Sequence, residues 1–422
     1  MPADESKFLE RGSHAIRKFI PSSRTMLIAA AIVLSIVAIV RTAHRLHESR
    51  HRWAAGNFAV YYAWGAMNEI GEPLWGPRAA TGFVRPGLKR PKRCNYTPFF
   101  IECFRPFARF SQPAAFWMWE ALQLLSLAAA IFLLARNTGP PLDCAATAIA
   151  IALAFIFRPL AVTIHYAQFS PFLLLSIAGS WASSRRGHPA WAGLWLAIAT
   201  LLKLYPGAAG GYYLFTRRWR EAGWAALFTI AGILATGPRD WFEMIRHGAR
   251  YSFGLVSPLQ INVRGAVYPA IVRITGAGGH FEAAALTGAL TLAIGGILLA
   301  AAAFVTMRAS GAANSQGLAL ALWIALGLEM SPVAWPDELP LALPIYLFAA
   351  LIVGELYRRG HRATLSGWFI GGVALAGGIG IHDFTSILPG LHPRFLALIL
   401  VYLGAAMILH ARNLADRIAA AG

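Results

Sequence analysis

Charge is what this 422-residue chain has least of: Asp, Glu, Lys and Arg together make up 13% of it, while 57% is hydrophobic. Soluble domains carry about a quarter charged residues. With a mean hydropathy of +0.54, a water-soluble globular protein is excluded and the chain reads as a membrane protein. Acids are scarcer than bases, 19 against 37, which leaves a net charge of +18. In a soluble protein that surplus would point to nucleic acid. No nucleic-acid motif accompanies it, so no nucleic-acid partner is expected, and basic residues flanking apolar runs are what membrane orientation requires. Cysteines number three. They have no metal-ligand spacing and no disulfide framework, so no bound metal is expected; a bridge between Cys94 and Cys103 requires their shared loop to face an oxidising compartment. A small-residue cleavage pattern is also missing from the first apolar run, Met26 to Val40, which follows a polar stretch and therefore reads as an anchor.

What the chain has in quantity is apolar runs. Segments 25–40, 114–135, 143–165, 168–183, 189–204, 205–216, 219–236, 281–307, 316–332, 339–357, 364–382 and 395–411 are candidate membrane crossings. Pro206 interrupts the fifth and sixth, which predicts a kinked or re-entrant hairpin over 189–216. Charge supports this reading. With Lys7, Arg11, Arg17, Lys18 and Arg24 inside, a hairpin there keeps Arg136, Arg185, Arg186, Arg217, Arg218, Arg220, Arg308, Arg358, Arg359, Arg362 and Arg412 inside as well. The expected organisation is a cytoplasmic tail 1–24, one transmembrane domain 25–411 and a cytoplasmic tail 412–422, with long outer loops at 41–113 and 237–280. Those two loops carry 17 of the basic residues. Attraction to anionic lipid headgroups accounts for such charge, and so does an outer site for a phosphate-bearing lipid.

Several segments carry chemistry. Residues 56–71 read as a helix ended by Gly71, with Asn57, Tyr61, Trp64 and Asn68 on one face. Aromatic planes beside amides suit a sugar, and an interfacial helix has a similar face. Asn95 to Phe100 reads as a second interfacial turn with Glu102 behind it. Gln168 follows the third crossing, and Lys203-Leu204-Tyr205-Pro206 forms the hairpin tip. A lysine in an apolar helix costs about 2.5–3.5 kcal/mol on insertion scales, so Lys203 either faces a cavity, partner or ligand or snorkels to the surface. In the second outer loop Asn262 and Arg264 suit phosphate or sugar, as they suit a solvated loop. Trp335, Asp337 and Glu338 lie between two crossings, where the acids serve as a general base or complement a helix dipole.

In this order the segments resemble glycosyltransferase family 87, multi-spanning GT-C enzymes that use polyprenyl-phosphate mannose or related donors. The resemblance runs roughly from Gly56 to Pro344. It is best at the Gln168 turn, Arg185-Arg186, Ala192-Gly193, Lys203-Leu204-Tyr205-Pro206 and Arg217-Arg218-Trp219. It implies an all-α, GT-C-like polytopic protein of about twelve transmembrane or re-entrant helices in the bacterial inner membrane, with an extracytoplasmic active site. It further implies transfer of a mannose-like hexose to a lipid or glycan acceptor, with inversion and with no metal or other cofactor. The partners implied are the polyprenyl-phosphate sugar, the acceptor and membrane lipids.

The chain departs from the family at chemically important points. Asn57 stands where the family usually has the aspartate taken to be the base. Asn262-Val263-Arg264 replaces Asn-Gln-Ser, and acids replace two histidines after Trp335. An amide cannot take the acceptor proton, so the base moves to Glu69, Glu72, Glu102, Asp337 or Glu338, or the protein binds a lipid-linked sugar without transferring it. Relocation is the favoured expectation. On that reading Glu69, Asp337 and Glu338 are the candidate catalytic acids. Tyr61, Trp64, Gln168, Lys203, Tyr205, Asn262, Arg264 and Trp335 are the candidate substrate-binding residues. A secondary transporter is the alternative of a different class, although the sequence has no convincing internal repeat.

Overall fold

Apolar helices packed on one another carry the architecture. A computed structural model of the chain describes residues 23–50, 56–75, 94, 96–248, 262–275, 281–309, 311–331, 334–358, 402–410, 412 and 416, and among these there is no strand. In chain order the helices are α1 (Ser23–Ser49), α2 (Gly56–Glu69), α3 (Pro98–Phe104), α4 (Gln112–Arg136), α5 (Cys144–Ile156), α6 (Arg158–His165), α7 (Ser170–Arg185), α8 (Pro189–Leu202), α9 (Ala209–Phe215) and α10 (Trp219–Ala235). They continue as α11 (Pro238–Glu243), α12 (Val263–Thr275), α13 (Phe281–Met307), α14 (Ala313–Met330) and α15 (Leu343–Arg358). Tight 3₁₀ turns at Arg105–Arg109, Tyr205–Ala208 and Pro336–Ala342 and a π turn at Met244–Gly248 join or extend them. A last helical stretch lies at 402–410.

The described residues are all-helical, as a polytopic membrane protein requires. Four helical stretches are long and apolar enough to cross a bilayer: Arg24–Ser49, Gln112–Arg136, Ala285–Met307 and Asp337–Leu356. The pair α5 and α6, bent by 58° at its break, makes a fifth. The expected dozen is not reached among the described residues. The crossings expected at 168–183, 189–204, 219–236 and 316–332 are helices of 16, 14, 17 and 18 residues, short of the roughly 20 a lone span requires. The crossing expected at 364–382 lies outside the described residues, as does 395–411 apart from 402–410. The loop expectations also shift. α1 runs on to Ser49, so the first nine residues assigned to the first outer loop continue its helix, and the described part of the second outer loop contains α11, the π turn and α12.

Proline sets the breaks that matter. Pro159 has no N–H to give the carbonyl of Phe155, and the guanidinium of Arg45 on α1 supplies one at 3.2 Å. This bond fastens the extension of α1 to the bent pair. At the tip of the hairpin Pro206 cannot continue α8, and the chain tightens into the 3₁₀ turn before α9. Both arms of this hairpin meet α7 at the same level: Ser180 Oγ donates to the carbonyl of Ala192, early in α8, and shares a 2.7 Å hydrogen bond with the hydroxyl of Tyr213, late in α9. The segment 189–216 therefore goes in and comes back, as Pro206 predicted.

The bundle consequently has two different ends. At one, Arg218 reaches Ser184 and Gln316, Ser184 reaches Glu221, and Asn314 pairs with Gly139 just after Arg136. At the other lie the N-termini of α4 and α7, the Lys203 turn and the Pro336–Ala342 turn, joined by bonds from Trp119 to Ala167 and from Ser170 to Asp337. Close backbone approach holds the short helices together. A Cβ on Gly193 would fall 2.5–2.7 Å from Cβ and backbone atoms of Trp224 and Ala225 on α10. Backbone atoms cannot swing aside, so Gly193→Val should cost about 1–3 kcal/mol by overpacking, read as a lower melting temperature in detergent. Gly223→Ala on the same helix pair, where a Cβ would meet nothing within 4 Å, should melt like the wild type.

Candidate functional site

Lys203 stands at the point where α8 gives out. Its backbone is extended, with φ −155° and ψ 135°, and the carbonyls of the last turn need donors from elsewhere. Thr97 provides one. Its hydroxyl donates to the carbonyl of Leu201 and accepts from Phe100 N at 3.2 Å, capping α3. One threonine thus ties the end of α8 to the start of α3. From this turn Lys203 Nζ forms an ion pair with Glu338. The ammonium also lies 5.3, 5.5 and 6.0 Å from the ring centroids of Tyr205, Phe169 and Tyr96. Such contacts contribute about 0.5–1 kcal/mol each when exposed and about 2 when desolvated. The lysine side chain is 22% exposed and that of Glu338 only 2%, so the pair opens outward on the lysine side.

The acids come from the 3₁₀ turn at Pro336–Ala342. Two hydroxyls from different helices, Thr163 on α6 and Ser170 on α7, donate to the carbonyl of Asp337 at 2.8 Å each. That clamp fixes the backbone between the two carboxylates. Both acids are buried, and Asp337 is close enough to Tyr61, Tyr96, Lys203 and Tyr205 to act electrostatically on all four. One oxygen of Glu338, Oε2, has no hydrogen-bond partner among the described residues. Trp335 is half-buried just before the turn.

The α2 face is helical and ends at Gly71, whose φ of +74° suits glycine. It is not an open stacking surface. Tyr61 and Trp64 are buried at 1% and 4% exposure, and the Tyr61 ring packs against those of Tyr96, Phe100, Phe104, Trp119 and Phe169. Rings of that size contribute more by mutual burial than by waiting for a sugar. The hydroxyl of Tyr61 bonds to that of Tyr96 and donates to Gln168 Oε1, both at 2.8 Å. Gln168 is aimed there by a turn in which Ala167 adopts φ +52°, a left-handed conformation costing a non-glycine residue about 1–2 kcal/mol. Trp119 Nε1, donating to the Ala167 carbonyl at 2.9 Å, holds it. Asn57 lies one turn before Tyr61 on α2 and is half-buried.

The structure therefore gathers Tyr61, Gln168, Lys203, Tyr205, Asp337 and Glu338 at one end of the bundle. It sends other expected residues elsewhere. Glu69 is held by Arg105 and Arg109; the Arg105 hydrogen bond first, with Arg109 beside it, keeps its carboxyl below the usual range. Glu102 accepts from Asn68 at 2.8 Å and lies 3.6 Å from Arg105, and Glu72 follows the end of α2. Asn262 is fully buried. It accepts from Gly265 N at 2.8 Å, capping α12, and donates to the carbonyl of Ser331 at 2.6 Å. Arg264 is half-buried in the first turn of α12. Cys94 and Cys103 are free thiols, the first buried with its thiol pushed up to about 12 by that burial. Tyr96, Thr97, Thr163, Phe169 and Ser170 are site residues to which the sequence reading gave no role of their own. Thr97-Pro98 carried a legible signal, a capping residue followed by proline at the first helical position.

Comparison with known proteins bears on this end of the bundle. Two curated relatives are polyprenol-phosphate-mannose-dependent alpha-(1-2)-phosphatidylinositol pentamannoside mannosyltransferases. The one from Mycolicibacterium smegmatis is 25% identical over 287 residues, 66% of this chain and 66% of its own length. The one from Mycobacterium tuberculosis is 26% identical over 292 residues, 66% of this chain and 63% of its own length. The match thus covers just under two thirds of either relative. The sequence model of glycosyltransferase family 87 matches residues 95–336, a stretch that begins beside Tyr96, contains the Gln168 turn and Lys203, and ends at the turn bearing the two acids. This chain belongs to glycosyltransferase family 87.

Proposed function

We propose that the protein is a membrane glycosyltransferase that moves a mannose-like hexose from a polyprenyl-phosphate donor to a lipid or glycan acceptor, with inversion and with no cofactor beyond the donor. The observation that carries this reading is Lys203, caged by Tyr96, Phe169 and Tyr205 and set against the buried acids Asp337 and Glu338. The cation receives the donor phosphate, and its charge stabilises the departing polyprenyl phosphate. A carboxylate of the Asp337–Glu338 turn takes the acceptor proton. The hydroxyl oxygen then attacks the anomeric carbon from the side opposite the phosphate, which inverts its configuration. The names of the two relatives support mannose and a phosphatidylinositol-type acceptor as the first compounds to assay.

Sidedness follows from charge. Arg136, Arg185, Arg186, Arg217, Arg218 and Arg220 belong to the end of the bundle away from Lys203, and basic residues in short connections mark the cytoplasmic side. The site then faces the extracytoplasmic side of the inner membrane, with both termini cytoplasmic. A secondary transporter would keep the first-loop helices away from the buried lysine; here the Tyr96 ring and Thr97 pack on its turn. A binding protein without transferase activity is the second reading, favoured by the amide of Asn57 at the expected base position.

Glu69 is a weak choice of base, because two guanidinium groups stabilise its charged form. Its pairing is structural. A depressed folded-state pKa contributes stability that is present above the ordinary glutamate value and lost as pH falls through the folded one. Glu69→Gln should therefore leave transfer within about twofold and lower the melting temperature at neutral pH, with the difference from wild type vanishing in acid. Lys203→Ala should reduce kcat/KM for polyprenyl-phosphate mannose by about 10²–10³. Loss of the base, tested with Asp337→Asn and Glu338→Gln in turn, should cost about 10²–10⁴. Unaltered transfer in all three site variants would refute the site, and no transfer by the wild type from any polyprenyl-phosphate sugar would favour the binding protein. Two natural cysteines report sidedness. Cys103, exposed near the site, should react with a membrane-impermeant maleimide in intact cells at alkaline pH. Cys144, exposed at the arginine end, should react only after permeabilisation, and the reverse pattern would invert the topology.

A further inference from the structure

The ion pair at the centre of the site sets a problem for the chemistry. Among the described residues Lys203 is the cation within reach of the caging rings, and Glu338 already occupies it. A carboxylate sharing its charge with an ammonium is a poor proton acceptor, because the lysine stabilises the form that must be consumed. A phosphate approaching the same ammonium meets two carboxylates, Glu338 and Asp337, and like charges in contact repel strongly where water is scarce. In the resting arrangement the site therefore suppresses both of its own functions.

We propose that donor phosphate and Glu338 compete for Lys203, so that donor binding loosens the Lys203–Glu338 ion pair and turns Glu338 into the base. The proposal rests on the functional reading above, in which Lys203 receives the donor. Three observations carry it. The side chain of Lys203 is 22% exposed and that of Glu338 only 2%, so the lysine is the more accessible partner of the pair. Asp337 adds a second negative charge close to the lysine, so a third anion makes proton uptake by one carboxylate favourable. Glu338 Oε2 has no hydrogen-bond partner among the described residues, so no described protein group already holds that oxygen.

The step balances. A lone pair of the acceptor hydroxyl forms the new bond to the anomeric carbon as the bond from that carbon to the phosphate oxygen breaks. The bonding electrons leave on the polyprenyl phosphate, which gains one negative charge. The hydroxyl proton passes to Glu338, and Lys203 remains protonated throughout, now neutralising the leaving group. An unmasked base and a bound donor thus arise together. In the absence of donor the lysine keeps Glu338 from activating water or acceptor, and this limits unproductive proton transfer.

The test uses the purified full-length protein in detergent and a long-chain polyprenyl monophosphate, the leaving group itself, as the probe. Glu338→Gln keeps the side-chain volume and removes the competing charge. It should bind the probe at least about tenfold more tightly than wild type while losing transfer from polyprenyl-phosphate mannose. Glu338→Asp should return both properties toward wild type. In a Lys203→Gln background, adding Glu338→Gln should leave probe affinity nearly unchanged, since the contested cation is gone. Equal or weaker probe binding by a Glu338→Gln protein with a wild-type melting profile overturns the competition. Tighter binding with transfer intact overturns the assignment of Glu338 as base and leaves the competition standing. Loss of probe binding in wild type and every variant alike would count against the donor site itself, and so against the functional reading rather than this step.

Discussion

A charge in the apolar end of a helical bundle has to be paid for, and at Lys203 the surroundings are arranged around that cost. Inserting an ammonium among apolar side chains costs about 2.5–3.5 kcal/mol. Glu338 offsets part of it, although buried ion pairs seldom stabilise a fold beyond what apolar packing would do. Three rings offset more through their faces. Keeping those partners in place requires fixed backbones on every side. Pro206 stops α8 so that Lys203 projects from a turn, Thr97 ties that turn to α3, and Thr163 with Ser170 clamps the turn bearing the acids. Each of these bonds joins segments far apart in sequence, and all of them lie at the same end of the bundle.

The aromatic wall behind the lysine follows from the same constraint. A buried cation leaves little room for water, so the polar atoms nearby must satisfy one another. Tyr61, Tyr96 and Gln168 do so in a short hydrogen-bonded row, and the left-handed turn at Ala167 is the local strain that brings Gln168 into line. Trp119 holds that turn from α4 and packs its ring against Phe104 and Phe172. The face of α2 that looks suited to a sugar is thereby consumed in building the wall. Asn57 and Trp335, by contrast, remain half-buried.

Much of this was legible in the sequence, for physical reasons that can be named. An apolar run interrupted by Lys-Leu-Tyr-Pro is rare enough in a membrane protein that the costly lysine and the helix-breaking proline mark a tip, and the return of the chain at Tyr213 bears that out. Gly71 marked the end of α2 for an equally local reason, its positive φ. What the sequence left open depended on contacts distant in sequence. Asn262 reads as a ligand because an amide beside an arginine suits phosphate, yet its two bonds cap α12 and hold Ser331. Glu69 reads as a base until Arg105 and Arg109, more than 30 residues on, are brought to it. The crossing count depends on something else. Hydropathy measures how apolar a segment is, whereas short helices such as α7 and α8 are packed against other helices for most of their length, so their apolar character records protein contacts as well as lipid.

The two ends of the bundle give the surplus of positive charge a division of labour. Arginines at the far end are engaged in local bonds, as with Arg218 on Ser184 and Gln316, or are exposed, as with Arg185, Arg186, Arg217 and Arg220. At the site end the guanidinium groups of Arg105 and Arg109 are spent on Glu69, and that of Arg45 on a helix carbonyl left open by Pro159. The cation that remains in contact with the caging rings is a lysine. This choice has a chemical consequence. A guanidinium binds a carboxylate through two parallel bonds in a fixed plane and gives it up reluctantly, while an ammonium is a point charge with three rotatable donors and exchanges one anion for another at smaller geometric cost. On the proposed function, a site that holds its own carboxylate at rest and a lipid phosphate during turnover is better served by the exchangeable cation, while Arg105, Arg109 and Arg45 are engaged by the protein itself.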